Sequence, residues 1–203
     1  MMLHFEAVSN ELIELLRRLM VAEPLKDFYL VDGTALTLYC GHRKSIDLDL
    51  FTHRSFDAIR LSEWLSRDFN LTDIAVDTNT LRSRINEVKT DFIAHQYTLI
   101  GKVVRMDRIR LLSVKDIAAM KLNAIANRGS KKDFWDYAKL LEHFDHESLL
   151  SFYAEKYPNA SLWNLEKSLC YFDDAENDPN PVSLENQTWH RVKKMITANC
   201  YIG

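Results

Sequence analysis

The chain has 203 residues, of which 47% are hydrophobic and 27% charged, and its formal net charge is −3 at pH 7. This composition is typical of an ordinary globular protein with one large domain or two small ones. Three widely separated cysteines without a C-x-x-C pattern exclude a disulfide framework and a cysteine zinc site, and no apolar run is long enough for a membrane span. The amino terminus lacks a signal-peptide pattern, so we predict a cytoplasmic protein without a membrane partner.

Apolar periodicity in the first half predicts alternating helices and strands. In chain order these are a helix over 8–22, a strand over 28–31, a helix over 34–39 that ends at Gly41, a strand over 46–51 and a helix over 55–69. Residues 71–77 and 80–86 predict a hairpin, and residues 87–93 predict one more strand.

The second half has helical spacing throughout. The predicted helices cover 113–127, 131–144, 147–157, 161–172 and 184–199, with a polar loop over 173–181. We therefore predict an α+β fold: a small mixed-sheet core over residues 1–105, followed by an α-helical half over residues 106–203.

Two acids mark the strand over 46–51. Asp47 and Asp49 stand at i and i+2, so their side chains point to the same face, while Ile46, Leu48 and Leu50 point to the other. Two such carboxylates suit one or two Mg²⁺ ions, and the small residue Gly33 one helix upstream would let a triphosphate approach the backbone. This layout is typical of nucleotidyl transfer, although a solvated strand end also explains the two acids.

A third acid, Asp91, occurs on the later strand over 87–93. We predict that Asp47, Asp49 and Asp91 converge and share metal ions. The metal would neutralise the triphosphate, and one acid would help to remove a proton from the acceptor hydroxyl.

Two residues of the helical half are further candidates. Lys121 lies among apolar residues of one helix, and it either extends to solvent along its aliphatic stem or binds a phosphate. Asp133 opens the next helix, where the helix dipole favours an acid in any case. We expect both to face the cleft opposite Asp47 and Asp49.

Basic residues are concentrated between residues 102 and 132. They are Lys102, Arg105, Arg108, Arg110, Lys115, Lys121, Arg128, Lys131 and Lys132. Such a segment beside a carboxylate site suits a polyanionic substrate, and solvated helix faces are the alternative.

Two motifs, each made of two neighbouring segments, resemble the signatures of the AbiEii/AbiGii toxin family of nucleotidyltransferases. Residues 30–36 (LVDGTAL) and 41–51 (GHRKSIDLDLF) are similar to its first signature, GGTAL followed by GHR-x-S-x-D-[LI]-D-L-F. Residues 116–125 (DIAAMKLNAI) and 128–136 (RGSKKDFWD) resemble its second signature. The resemblance covers residues 28–143.

This resemblance implies a DNA polymerase β-like nucleotidyltransferase fold and Mg²⁺-dependent transfer of a nucleotide from an NTP. Some members are toxins of toxin–antitoxin or abortive-infection systems, and related toxins modify the tRNA acceptor end, so RNA and a cognate antitoxin are the implied partners. Carried over by position, the metal ligands are Asp47 and Asp49, the phosphate-binding lysine is Lys121, the second-motif acid is Asp133, and the phosphate turn holds Gly33 and Thr34.

One position departs from the family pattern, because Asp32 stands where the family has glycine. Its charge would either point away from a triphosphate or weaken nucleotide binding. Asp32 therefore favours one alternative to a toxin-type enzyme, a non-catalytic binding module that keeps the fold. A second alternative is a small-molecule nucleotidyltransferase that modifies an antibiotic, because such enzymes share the same minimal metal motif.

Overall fold

The computed structural model describes residues 2–200, and residues 1 and 201–203, at the ends of the two predicted halves, lie outside the described residues. In this described part of the chain, seven strands form one mixed sheet in the order β3-β4-β5-β2-β1-β7-β6. The strands are β1 (Tyr29–Leu30), β2 (Leu48–Thr52), β3 (Leu71–Asp77), β4 (Thr80–Ile85), β5 (Val88–Ala94), β6 (Val104–Met106) and β7 (Ile109–Leu111).

The centre of the sheet sets the position of the acids. β2 pairs with β1 in antiparallel and with β5 in parallel orientation. Leu48 and Leu50 of β2 are buried and Asp49 between them is only partly buried, so the predicted alternation is confirmed within β2. The prediction is wrong for Ile46, which is 75% exposed because the strand begins only at Leu48.

Within residues 2–200, eight α-helices surround or follow the sheet. They are α1 (Asn10–Val21), α2 (Asp32–Cys40), α3 (Ala58–Asp68), α4 (Val114–Asn127), α5 (Lys131–Leu140), α6 (His146–Lys156), α7 (Leu162–Leu169) and α8 (Trp189–Asn199). Side chains of Ser9 and Ser113 accept hydrogen bonds from the first turns of α1 and α4, and Gly41 ends α2 in the left-handed conformation.

The α+β fold is confirmed, but the sheet extends past the predicted boundary at residue 105. β6 and β7 form a hairpin that the sequence did not predict, and Leu111 of β7 pairs with Leu30 of β1. The strands are short, and their turn uses the left-handed residues Asp107 and Arg108 in place of glycine. The helical half therefore begins at α4.

The helical half packs on the sheet half through α2, which contacts both α4 and α5. Within the helical half, α4 packs against α5, α6 and α7, and α5 packs against α8. None of the helices in residues 2–200 combines the length and apolar character needed to cross a membrane.

Candidate active site

A pocket of about 310 Å³ opens where the start of α2, the segment before β2 and the helical half meet. The predicted site residues that line it are Gly33, Thr34, Asp47, Asp49 and Lys121. Asp91 and Asp133 are not in its wall. Asp91 is the register partner of Asp49, and Asp133 contacts Lys121, so the structure brings all seven predicted residues to this region.

The third acid is held by basic neighbours. Asp91 is buried, and its Oδ2 lies 3.5 Å from Nζ of Lys89 and 3.8 Å from Nε of Arg82. Its Oδ1 has no hydrogen-bond partner among the described residues. Residues 2–200 contain no group of three or more acidic, histidine or cysteine side chains arranged to hold a metal ion, so a three-acid centre is not assembled in this structure.

A pair of carboxylates nevertheless suits Mg²⁺, which proteins often bind through one or two carboxylates together with substrate phosphates and water. Asp47 and Asp49 form such a pair in the pocket wall. Burial raises the pKa of the Asp49 carboxyl to about 7, and the charges of Asp32 and Asp91 add to this effect, whereas Lys121 opposes it. A bound cation would relieve this repulsion, so the chemistry of the donor set fits the metal.

Beside the pocket lies a cluster of paired charges that we call the ion cluster. Its acidic members are Asp32, Asp133 and Asp136, and its basic members are Arg43, Lys121 and Arg128. The formal charges balance, three against three.

Asp136 of α5 is the centre of the ion cluster and is fully buried. The Arg43 guanidinium donates from Nε to its Oδ1 at 2.6 Å and from a terminal nitrogen to its Oδ2 at 2.8 Å. Nε2 of His42 lies 2.8 Å from the same Oδ1. Although burial opposes the charge of Asp136, Arg43 and Lys121 hold the pKa of this carboxyl well below its usual range. This forked pairing ties the segment before β2 to the helical half.

Lys121 is fully buried, so it does not extend to solvent along its stem. Its Nζ lies 2.9 Å from Oδ2 of Asp136 and 3.1 Å from Oδ1 of Asp133, and it also contacts the Asp32 carboxylate. Burial opposes the ammonium charge, but the three carboxylates outweigh burial and raise the pKa of Lys121. A phosphate that reached Lys121 would have to compete with these acids, and the phosphate-binding role stays a prediction.

Asp133 lies in the first turn of α5, as predicted, but it faces the ion cluster and not the pocket. It accepts hydrogen bonds from the guanidinium of Arg128 and from the hydroxyl of Ser130. Burial raises the pKa of this carboxyl, yet Lys121 and Arg128 overcome burial and lower it to about 2.

The predicted glycine turn is instead the first turn of α2, which begins at Asp32. A Cβ atom on Gly33 would lie 2.4 Å from a terminal nitrogen of Arg43, so glycine at this position lets the guanidinium reach Asp136. The Thr34 hydroxyl donates to the carbonyl of Asp47 and lies 2.8 Å from the Ser45 hydroxyl. Thr34 thus fixes the backbone that carries the first pocket acid.

Asp32 adopts a left-handed backbone with φ of 57°, which explains why glycine suits this position in the family pattern. Its carboxylate points to Lys121 and lies 3.9 Å from Arg128. The charge is therefore paired, although it remains close enough to Asp49 to affect that acid.

The polar loop predicted over 173–181 supplies the outer wall of the pocket through residues 179–182. Lys131 anchors the loop by donating from Nζ to the carbonyl of Asp178, and the backbone N–H of Lys44 donates to the carbonyl of Val182. Val182 and Ile46 are exposed at the pocket rim, at 65% and 75%.

Two exposed lysines, Lys44 and Lys132, also line the pocket. Lys44 donates to the carbonyl of Glu6, and Lys132 has no ion pair within residues 2–200. Neither was singled out for this role from the sequence.

The basic segment over 102–132 is not one continuous surface. Arg110 is buried and donates to three backbone carbonyls, and Lys121 and Lys131 are buried as well. Arg128 is paired with Asp133. Structural roles therefore take up much of the positive charge that suggested a polyanionic partner.

Sequence reasoning assigned no role to His42, Arg43 or Asp136, which form the best-bonded part of the site. All three stand within the two stretches that resemble the nucleotidyltransferase signatures. The signal was present in the motifs, but their mutual contact spans more than ninety residues of chain and has no local periodicity.

Comparison with known proteins places the chain among nucleotidyltransferase folds. No family model matches. An uncharacterised protein from Aquifex aeolicus (strain VF5), aq_aa25, is 33% identical over 177 residues, which cover 84% of this chain and 86% of that protein. Among solved structures, a Helicobacter pylori protein assigned provisionally as a nucleotidyltransferase matches with a TM-score of 0.57 at 20% identity, over 98% of this chain and 94% of that one.

The toxin nucleotidyltransferase MenT4 of Mycobacterium tuberculosis matches with a TM-score of 0.58 at 13% identity, over 86% of this chain and 74% of that one. These distant likenesses show that the chain shares its fold with these two proteins.

Proposed function

This chain belongs to the family of the Aquifex aeolicus protein aq_aa25, and we propose that it is a Mg²⁺-dependent nucleotidyltransferase that moves a nucleotide from an NTP to an RNA acceptor. The observation that carries the proposal is the pocket in which Asp47 and Asp49 face the first turn of α2. Membership of the AbiEii/AbiGii toxin family is part of the proposal and rests on the two motif stretches.

The pocket offers a distinct place for each part of an NTP. The first turn of a helix has N–H groups without intrahelical partners, which suit phosphate oxygens, and Gly33 and Thr34 lie there. Lys44 and Lys132 would add positive charge at the rim. The exposed apolar side chains of Ile46 and Val182 suit the face of a nucleobase.

Asp47 and Asp49 would hold Mg²⁺, which when bound neutralises charge that develops on the phosphates. The acceptor hydroxyl oxygen forms a bond to the α-phosphorus, the bond from that phosphorus to the pyrophosphate oxygen breaks, and pyrophosphate leaves. The hydroxyl proton passes to a carboxylate. Asp91 is the candidate, because its strand neighbour is Asp49 and its buried Oδ1 has no hydrogen-bond partner within the described residues.

Arg43, Lys121 and the acids of the ion cluster would act by positioning. They hold the start of α2, the segment before β2 and α5 in fixed relation, so that the pocket acids keep their geometry. Lys121 would bind phosphate directly only if the triphosphate displaced Asp32 from its ammonium.

A toxin role is the proposed biological setting. The fold is shared with MenT4, which is named a toxin, and the motif resemblance implies a cognate antitoxin in the cytoplasm. Expression of the chain in a bacterial host should slow growth, and Asp49→Asn should abolish this effect. Growth at the control rate with wild-type protein present would contradict the toxin role but would leave the proposed nucleotidyl transfer reaction unaffected.

The chemistry is tested by incubating purified protein with each labelled NTP, Mg²⁺ and a total RNA pool. We expect label in RNA, dependent on Mg²⁺, and a loss of about a thousandfold or more in Asp49→Asn. Label in an aminoglycoside instead of RNA would favour the small-molecule alternative. If wild-type protein neither transfers label nor binds Mg²⁺–NTP, the non-catalytic alternative is correct.

The rim lysine offers a finer test. Lys132→Ala should raise KM for the NTP roughly tenfold with little change in stability, because an exposed cation near the triphosphate contributes already in the ground state. Lys102→Ala, which removes an exposed lysine that does not line the pocket, is the matched control.

A further inference from the structure

A second cleft, of about 470 Å³, lies next to the pocket and shares Asp32 with it. Its floor comes from the far ends of the two strands that carry the acids. Phe51 follows Asp49 on β2, Ile93 follows Asp91 on β5, and Phe51 and Ile93 are register partners just as the two acids are. Because side chains two apart on a strand share a face, the acids stand between the pocket and this cleft.

A row of aromatic rings begins in the cleft, where Phe51, His95 and Tyr157 contribute to the wall, and continues into the neighbouring hollow, which Tyr97 lines. We call Phe51, His95, Tyr97 and Tyr157 the aromatic row. Ring centroids are 5.7 Å apart for Phe51 and His95, 4.8 Å for His95 and Tyr97, and 4.7 Å for Tyr97 and Tyr157. Tyr97 is 47% exposed and lines the outer hollow. A neighbouring hollow that shares Asn123 and Tyr157 continues the cleft outward past Tyr97.

The opposite wall is the polar face of α4. Asn123, Asn127 and Arg128 line the cleft there. Asn127 uses its amide nitrogen on the carbonyl of Asn123, which leaves its side-chain oxygen for a ligand donor. The wall thus offers amide groups and a guanidinium opposite the aromatic row.

The charged groups around the cleft favour a nucleic acid over an aminoglycoside as the acceptor substrate. Arg128 is half exposed at the inner end, and the Asp32 carboxylate is paired with Lys121. Glu155 lines only the outer hollow. Burial lowers the pKa of His95 to about 4, with Lys156 adding to this effect, so its ring is neutral near pH 7. An aminoglycoside needs several carboxylates, whereas stacked rings, amides and one guanidinium suit nucleobases joined by phosphodiesters.

We propose that this cleft is the acceptor subsite and that it takes the 3′ end of a single-stranded nucleic acid, with bases against the aromatic row and the terminal hydroxyl directed toward the strand positions of Asp49 and Asp91. The proposal rests on the proposed function, because a transferase needs a second substrate on the opposite side of the acids from the NTP. Beyond the proposed function, the subsite identifies the residues that recognise the acceptor.

The test measures binding of a short, fluorescently labelled single-stranded RNA with a free 3′-hydroxyl, by anisotropy, to the full chain with Mg²⁺ and no NTP. Tyr97→Ala should weaken binding by roughly fivefold or more, because base stacking on an aromatic side chain is lost. Tyr97→Phe should keep most of the affinity. Tyr171→Ala is the matched control, since Tyr171 is 52% exposed and lies outside the cleft.

Asn127→Asp provides a second variant on the opposite wall, at an exposed helix position that tolerates the change. Its added negative charge should weaken RNA binding by a similar factor. Both cleft variants should leave the affinity for Mg²⁺–NTP unchanged, which separates this subsite from the pocket.

Equal RNA affinity in wild type, Tyr97→Ala and Asn127→Asp would overturn the proposal, as would no RNA binding by the wild type or displacement of the RNA by an aminoglycoside. If the variants lose RNA affinity but the wild type transfers no nucleotide, the subsite stands and the proposed function fails. If transfer to RNA proceeds with unchanged KM for RNA in Tyr97→Ala, the function stands and the subsite fails.

Discussion

Asp49 of β2 and Asp136 of α5 are both influenced by the buried Lys121, but their environments shift their pKa values in opposite directions. Asp136 accepts a forked pair of hydrogen bonds from Arg43 and contacts Lys121, and its pKa is held well below the usual range. For Asp49, loss of contact with water raises the pKa to about 7, and the charges of Asp32 and Asp91 add to this effect.

The difference separates a structural site from a candidate functional one. A carboxylate that is paired with basic side chains stabilises the fold at neutral pH. A carboxylate without such partners lowers the free energy of unfolding until a cation binds to it. Substitutions in the two regions should therefore change stability in opposite directions, and the following experiments test this contrast.

The largest effect is expected for Asp136→Ala. This change leaves Arg43 and Lys121 buried without their main partner, and it should lower the free energy of unfolding by about 3–5 kcal/mol. Urea unfolding followed by circular dichroism measures the loss. Asp68→Ala, an exposed acid at the end of α3, is the control and should change stability by less than about 0.5 kcal/mol. A similar small change in both variants would mean that the ion cluster does not hold the halves together.

Acid should weaken the ion cluster in a defined range. The folded pKa of Asp133 is depressed from 3.8 to about 2. Its contribution to stability is therefore fully present above pH 4 and is lost as the pH falls toward 2. The contribution is about 2 kcal/mol, since one pKa unit corresponds to about 1.4 kcal/mol. Unfolding free energies measured from pH 5 to pH 2 should show a shallower slope in Asp133→Asn than in wild type, and parallel slopes would contradict this assignment.

Gly33→Ala tests the packing of the start of α2 on Arg43. The added methyl group would collide with the guanidinium, which sits at the end of a flexible side chain, so we expect a loss of about 1–2 kcal/mol. In an Asp136→Asn background the guanidinium is no longer held, and the same change should cost less. Additive losses in the double variant would show that the glycine is required for another reason.

The smallest stability change is expected for Asp32→Gly. Glycine relieves the left-handed backbone but removes one partner of Lys121, so the unfolding free energy should stay within about 1 kcal/mol of wild type. The affinity for ATP should hold or rise, because a carboxylate that competes for the Lys121 ammonium is gone. Calorimetric titration with Mg²⁺–ATP measures this, and a clear loss of affinity would mean that Asp32 assists nucleotide binding.

Much of the fold was predictable because its signals are local. Alternation in β2, the capping serines of α1 and α4 and the left-handed Gly41 each depend on a few adjacent residues. The β6–β7 hairpin escaped prediction because its strands have three residues each and its turn lacks glycine.

The site was predictable only in part, for a related reason. The pair Asp47 and Asp49 is a local pattern, and both residues line the pocket. The partners of Lys121 come from α2 and α5, so its burial in the ion cluster depends on tertiary contacts that periodicity does not encode. The contacts of Asp91 with Arg82 and Lys89 are also tertiary, so the sequence pattern did not show that basic side chains, and not a shared metal ion, neighbour this acid.

The contrast between the two acidic regions is tested most directly by the unfolding free energy of Asp49→Asn at pH 8 in EDTA. Because the folded pKa of Asp49 is raised from 3.8 to about 7, stability is lost progressively as the pH rises between these two values, and the loss is complete at pH 8. Removing the charge should therefore raise the free energy of unfolding by about 1–2 kcal/mol relative to wild type. A loss of stability comparable to that of Asp136→Ala would contradict the account, because it would make Asp49 a structural acid like those of α5.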